Sequence, residues 1–302
     1  MAELTLTAGA RPARLDTFLH EALPGWSRRL VRRLIGDGAV RVNGRPAAKG
    51  IRLAPGDRVT LPELPAGIAP EPALALPVLH ADAALVAVDK PGGMRSHALD
   101  PRERGTAAAF LLAHYPEMAG VGDALAPGLV HRLDTGTSGL LVAARTPDAY
   151  RALRAALRAR AVEKRYVAWV GGDADALQGT RIVLPLAHDP HDRRRMVPAT
   201  GGLRAWPAES AVTVVSSAGQ RSLVEVTIRS GVTHQVRVHL AARGHPVLGD
   251  VLYGGAPAGL PPGRHALHAA GMTLPHPADA RPLVLRAPLP SELAALGVSS
   301  GH

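Results

Sequence analysis

Residues 62–77, PELPAGIAPEPALALP, carry five prolines. Each proline fixes φ near −65° and lacks an N–H, so neither a helix interior nor a central strand can run through this stretch. The chain is therefore expected to fold as two units joined by a semi-rigid spacer: 11–61, a linker at 62–77, and 78–302. The second is long enough to bury a sizeable core and the first only a small one. Disulfides and thiolate sites are closed to both, because the chain has no cysteine.

The first unit is basic. Residues 11–58 hold eleven lysines and arginines against Asp16, Glu21, Asp37 and Asp57. Within it WSRRLVRRLIGDG reads as a short helix, with Ser27 as its cap and Gly36 or Gly38 at its end. Leu30, Val31, Leu34 and Ile35 share one face, and Arg28, Arg29, Arg32 and Arg33 form a ridge on the other, suited to phosphate. AVRVNGRP alternates into Asn43-Gly44, a two-residue hairpin signal, and IRLAPGDRVTL supplies another strand, turn and strand.

In the second unit, ALVAVDKPGGMRSH reads as a buried strand ending in a turn. Residues 148–160 form a helix with Tyr150, Leu153 and Leu157 inward and arginines outward. RYVAWV, AVTVVSS and SLVEVTIRSG alternate as strands without regular intervening helices. That order predicts an α+β domain built on a largely antiparallel sheet, not a doubly wound one.

The most polar cluster lies between two apolar runs, in GLVHRLDTGTSGLLVAAR, residues 128–145. A nucleophile elbow needs G-x-S-x-G, and here Gly139 falls one place early. The fourteen histidines include no H-E-x-x-H and no acidic companion set, and no G-x-x-x-x-G-K-[ST] loop occurs. Serine-hydrolase, metal and nucleotide-dependent chemistry are all disfavoured. What remains is Asp134 beside Arg132 on a glycine-bearing turn, which by itself fits a structural ion pair or a capping carboxylate as well as a catalytic one.

Residues 130–145, VHRLDTGTSGLLVAAR, resemble the signature of the RluA-type RNA pseudouridine synthases, H-R-L-D-x-x-T-S-G-L-L. VAVDKPGGMRSHA at 86–98 resembles that family's first block, and SLVEVTIRSGVTHQVRVHLAARGHPVLGDVLYG at 222–254 its third. KRY at 164–166, RRRM at 193–196 and HALHAAGMTLPHP at 265–277 correspond as well. The basic N-terminal segment is similar to the small RNA-binding domain first seen in ribosomal protein S-four. The resemblance implies a mixed, largely antiparallel sheet with flanking helices and a central cleft, preceded by a small α/β RNA-binding domain.

It also implies roles. Asp134 would be the catalytic carboxylate, Arg237 its partner, and Tyr166 the platform for the target uracil. Arg132 would touch the displaced nucleotide. Lys90, His97, His131, Lys164, Arg194, Arg195, His234 and Gln235 join as RNA contacts, with Arg28, Arg29, Arg32 and Arg33 docking the RNA-binding domain. Two departures stand out: Val232 occupies the place where the family usually has arginine before T-H-Q, and Arg95 and Ser96 stand where apolar residues are common.

The reaction implied moves uracil from N1 to C5 attachment on the same ribose, with no redox change and no energy input, so no cofactor and no metal are expected. The partner expected is structured RNA, large-subunit ribosomal RNA first and transfer RNA second, with a noncatalytic RNA-binding assembly factor as the competing class. A net charge of +10 and a pI near 11.0 favour a polyanion, although arginine, not lysine, supplies almost all of it. No signal peptide and no apolar run of membrane-spanning length is seen, so a cytoplasmic protein with no membrane partner is expected.

Overall fold

The computed structural model describes residues 3–23, 28–63 and 67–297. The N-terminal unit comprises β1 (Glu3–Thr7), β2 (Ala13–Arg14), α1 (Leu15–Ala22), α2 (Arg28–Gly36), β3 (Arg41–Val42), β4 (Arg45–Pro46), β5 (Arg52–Leu53) and β6 (Arg58–Pro62). Its sheet runs β1-β6-β3-β4, with β2 and β5 paired beside it. The apolar stripe of α2 is buried as its spacing predicts, and joins Leu15 and Leu19 of α1 and Val59 and Leu61 of β6 in one core. Ser27, the expected cap, lies outside the described residues. Asn43 (φ 50°) and Gly44 (φ 78°) both adopt the left-handed conformation that a two-residue hairpin turn of this type demands. The two strands of IRLAPGDRVTL do not pair with each other: β5 joins β2, and β6 runs between β1 and β3.

From residue 67 the proline-rich stretch has no helix or strand, but it is not a free spacer. Ile68 and Leu76 are buried in the core of the second unit, and Glu71 receives the Gly105 N–H on its carboxylate. Proline stiffness here lays the chain along a surface and removes N–H groups that would need partners.

The second unit follows with β7 (Val78–Ala81), β8 (Leu85–Lys90), α3 (Ala107–His114), β9 (Gly122–Asp123), β10 (Ala126–Pro127), β11 (Ser138–Ala144) and α4 (Pro147–Arg158). After these come β12 (Glu163–Gly171), β13 (Arg181–Val183), β14 (Leu186–His188), β15 (Met196–Pro198), β16 (Glu209–Ala218), β17 (Arg221–Ile228), α5 (Gln235–Ala242), β18 (Leu267–Pro275) and β19 (Pro282–Arg286). Nine strands form one sheet, β13-β16-β17-β12-β18-β11-β8-β7 with β19 also on β18. This is the largely antiparallel α+β architecture expected.

One seam of that sheet matters for the site. β11 meets β18 in parallel and only through Ser138–His268 and Gly139–Ala269, whereas the other pairings of this sheet among the described residues are antiparallel. β11 is buried at all seven positions, which is why SGLLVAA reads as a continuous apolar run and not an alternating one. Separate apolar cores lie on either side of the seam, and Tyr166 packs against both. The turn that carries Asp134 leads directly into the seam.

Candidate active site

Three backbone devices aim side chains into a cavity of about 410 Å³ lined by Arg132, Asp134, Lys164, Tyr166, His234 and Arg237 among others. The first is the turn before β11, closed by the Thr137 N–H donating to Asp134 O at 3.1 Å. A Cβ at Gly136 would lie 2.3 Å from Gly263 O, and Gly139 has φ +110° with Ala269 O 2.4 Å from where its Cβ would stand, so both positions require glycine. The second is β12, which pairs without a break along β17, so its alternation sets Lys164 and Tyr166 on the same, cavity-lining face, while the extra residue opposite Arg165–Tyr166 is Ala270 of β18. The third is His234, a non-glycine residue at φ 56° just before α5, which points its ring at Asp134.

Asp134 accepts a 2.9 Å hydrogen bond from Arg237 Nη1. Arg132, its neighbour in sequence, makes no ion pair or side-chain hydrogen bond among the described residues, so the short-range R-x-D pair does not form. Arg237 is held from its other edge by Asp250, with Nε and Nη2 donating to the two carboxylate oxygens at 2.6 and 2.8 Å. That fork fixes the guanidinium plane before any substrate arrives. His234 Nε2 lies 3.7 Å from Asp134 Oδ1, and its Nδ1 is 2.8 Å from the Tyr253 hydroxyl. The same hydroxyl accepts the Met196 N–H, an arrangement satisfied when it donates to His234 Nδ1 and leaves Nε2–H facing Asp134.

Burial by itself would raise the Asp134 carboxyl, but His234, Arg237 and the direct hydrogen bond outweigh it and hold the group below the usual carboxylate range. Burial lowers His234 too, so that ring is neutral near pH 7 and the permanent compensating charge is Arg237. Burial, reinforced by the Asp134 charge, pushes the Tyr166 phenol well above its ordinary value, so it stays protonated. The cavity thus holds an ionised carboxylate and a neutral aromatic ring against a buried cation.

Three expected RNA contacts have their polar atoms engaged by the protein: Lys90 lies wholly inside it, while His131 and Gln235 also line the cavity. Lys90 is fully buried, its ammonium donating to Pro91 O and Met94 O at 2.9 and 2.8 Å, and burial lowers it to about 7. It ties the loop after β8 together and cannot reach RNA. Gln235 is buried with its amide donating to Glu209 O and accepting from Ser230 Oγ and the Val232 N–H. His131 Nε2 accepts the Val142 N–H at 3.0 Å, and burial lowers it to about 3, so it braces β11 as a neutral ring. The Thr137 and Ser138 hydroxyls bond across the seam to His265 Nε2 and His268 Nδ1 at 2.8 and 2.9 Å.

Other expected residues also face the cleft or solvent. Lys164 lines the cavity, lowered to about 8 by burial. His97 is half-buried, with Arg132 among the charges acting on it. Arg195 stacks over the Tyr253 ring at 5.7 Å, while Arg194 is exposed and paired with Asp192. Arg32 and Arg33 are exposed on α2. Arg28 and Arg29 belong to the same helix, but their side chains lie outside the description.

Sequence reading misses Asp250, Tyr253, Arg264 and Ser96. Asp250 and Tyr253 stand in the G-D-x-x-Y-G stretch, where polar residues set among apolar ones are the available signal. Arg264 Nη1 and Nη2 donate to Gly136 O at 2.6 Å and Ser138 Oγ at 2.8 Å, clamping the turn that carries Asp134. The Ser96 hydroxyl donates to Leu133 O at 2.8 Å and accepts its N–H at 3.0 Å, which gives the polar departure in the first block a purpose.

Residues 84–242 match the family model for RNA pseudouridylate synthase, and residues 13–59 match the S4 domain. An uncharacterized RNA pseudouridine synthase of Chloroflexus aurantiacus is 41% identical over 93% of this chain and 87% of its own. Ribosomal large subunit pseudouridine synthase D of Neisseria meningitidis serogroup A is 33% identical over 96% of this chain and 79% of its own. The structure of human RNA pseudouridylate synthase domain containing 1 superposes with a TM-score of 0.59 at 25% identity, covering 75% of this chain and 90% of that one. With a family model across more than half its length and relatives of this identity along nearly all of it, the chain belongs to the RNA pseudouridine synthase family.

Proposed function

We propose that this enzyme converts particular uridines of large-subunit ribosomal RNA to pseudouridine, with Asp134 as the catalytic carboxylate. The observation that carries the reading is the Asp250–Arg237–Asp134 array, which keeps one carboxylate ionised at the floor of a cavity walled by Tyr166. In the reaction the C1′–N1 bond breaks, uracil turns, C1′ bonds to C5, and the C5 proton leaves while N1 gains one. Whether Asp134 attacks the sugar, attacks the base or removes a ribose proton, it must be anionic, and the array secures that.

Ribosomal RNA is favoured by the name of the Neisseria relative and by the S4 match. Segment 11–61 would dock the RNA in the cytoplasm through Arg28, Arg29, Arg32 and Arg33, and segment 62–77 would tether it to the catalytic segment 78–302. Arg132, His97, Lys164, Arg194 and Arg195 would grip the displaced nucleotide and its phosphates, offsetting the few kcal/mol that base extrusion costs. Tyr166 would stack on the uracil, as a permanently protonated ring can.

Tritium release from transcripts labelled at C5 of uridine tests the reading. Release from large-subunit ribosomal RNA, absent with Asp134→Asn, is expected. Release from transfer RNA alone would move the substrate, and no release above the variant would remove the catalytic role.

A further inference from the structure

Beside the catalytic cavity lies a second one of about 490 Å³, and the two share a wall made by Leu157, Arg158 and residues 230–233. Its far side is Trp206, half-buried, with His188 edge-on at 5.4 Å and the Arg204 guanidinium 5.9 Å from the ring. The indole does not swing freely. Its backbone pairs with Leu186 in both directions at 2.8 and 3.0 Å, and with Val232 it packs on Leu186, Met196, Ala208 and Val238.

Three features of this annex call for a ligand. No carboxylate lines it, while Arg158 and Arg160 stand exposed at its edge. Arg160 holds φ +56° just past the end of α4, a position where glycine is the relaxed choice, so a cation is kept there against backbone preference. Val232, which replaces the arginine expected before T-H-Q, leaves the shared wall apolar where a charge would have filled it.

We propose that the annex receives a nucleobase adjacent to the target uridine in the same RNA, stacked on Trp206, with Arg158 and Arg160 on the intervening phosphate. The proposal rests on the substrate reading above. An aromatic platform flanked by arginines is the arrangement that binds unpaired bases without reading their sequence. Extruding one nucleotide unstacks its neighbour, and the annex supplies that neighbour with a new stacking partner one wall away from Asp134.

The test is direct binding of a single-stranded oligouridylate carrying one 2-aminopurine, followed by quenching of that base, with tritium release measured in parallel. Trp206→Ala is expected to raise Kd about five- to 150-fold, the span expected for one base–aromatic stack, and Trp206→Phe to restore most of it. Arg160→Gly relaxes the backbone, so it should weaken binding severalfold while Tm holds or rises; this variant decides the matter if Trp206→Ala misfolds. Wild-type Kd in both Trp206→Ala and Arg160→Gly would overturn the annex while leaving the enzyme reading intact. Quenching lost in the variants but no tritium release by the wild type would overturn the substrate reading and keep the annex.

Discussion

Arginine works by opposite physics in the two halves of this molecule. Arg237 is 7% exposed and makes three charge-assisted hydrogen bonds to two carboxylates. Arg32 on α2 is 59% exposed, and Asp16, 3.9 Å away, is its nearest carboxylate. In the first setting water is excluded and each charge depends on the others; in the second water and salt screen almost everything short of a polyanion. The buried arginine is therefore part of the fold, whereas the exposed Arg32 is available to a partner.

The largest expected effect breaks the buried side at its functional end. Asp134→Asn keeps the shape and a hydrogen-bond acceptor for Arg237 but removes the charge. Tritium release should fall by at least about 10³-fold with melting temperature nearly unchanged, since a positioned acid–base group alone is worth about 10²–10⁴. Loss of the fold instead would mean that Asp134 is mainly structural.

Removing the cation has a different signature. Arg237→Ala leaves Asp134 and Asp250 facing each other without compensation and should cost about 3–5 kcal/mol of stability, read by denaturant unfolding. Arg237→Lys keeps one charge but not the fork. In that variant the Asp134 carboxyl should rise, because burial is opposed less, so the acid limb of the pH–rate profile moves toward neutral pH. An unmoved limb would show that Arg237 does not set the ionisation of Asp134.

The same contrast explains how much is legible in the sequence. The apolar stripe of α2, the Asn43-Gly44 turn and the buried β11 follow from local periodicity, and the structure forms each of them. Asp134 and Arg237 are paired across 103 residues, and only the block resemblance brings them together. Lys90 reads as an RNA contact because a polar residue in a motif-bearing block can serve the backbone as well as a ligand, and only burial with its bonds separates the two. Arg264 is invisible in the sequence, since nothing near it reveals that Gly92 leaves room for its side chain to reach the Asp134 turn.

Lys90 offers a third, smaller break in the buried half. Folded, it titrates near 7; unfolded, near 10.4. Below pH 7 both states carry the proton and the burial penalty is present in full. Between about 7 and 10.4 the folded state sheds the proton while the unfolded chain keeps it, so stability should rise with pH by up to about 1.4 kcal/mol per unit from this group. Lys90→Met should remove that part of the slope in pH-dependent unfolding, whatever it does to absolute stability. An identical slope would mean that the ammonium stays charged.

The smallest effect belongs to the exposed side. Arg32→Ala should change stability by no more than about 0.5 kcal/mol, because an exposed pair at 3.9 Å contributes little. Its influence should appear in RNA binding, where removing one phosphate-bound cation makes the slope of log K against log salt shallower by about 0.7–0.9. Arg33→Ala should behave alike, with one difference: Arg33 also lies 3.9 Å from Asp100, a buried carboxylate of the catalytic half already held by Arg102. If Arg33→Ala alters the salt slope as Arg32→Ala does, the ridge faces RNA as one surface. If instead Arg33→Ala leaves the slope unchanged and lowers the melting temperature, that arginine belongs with the buried class, and the division between the two halves runs through the middle of α2.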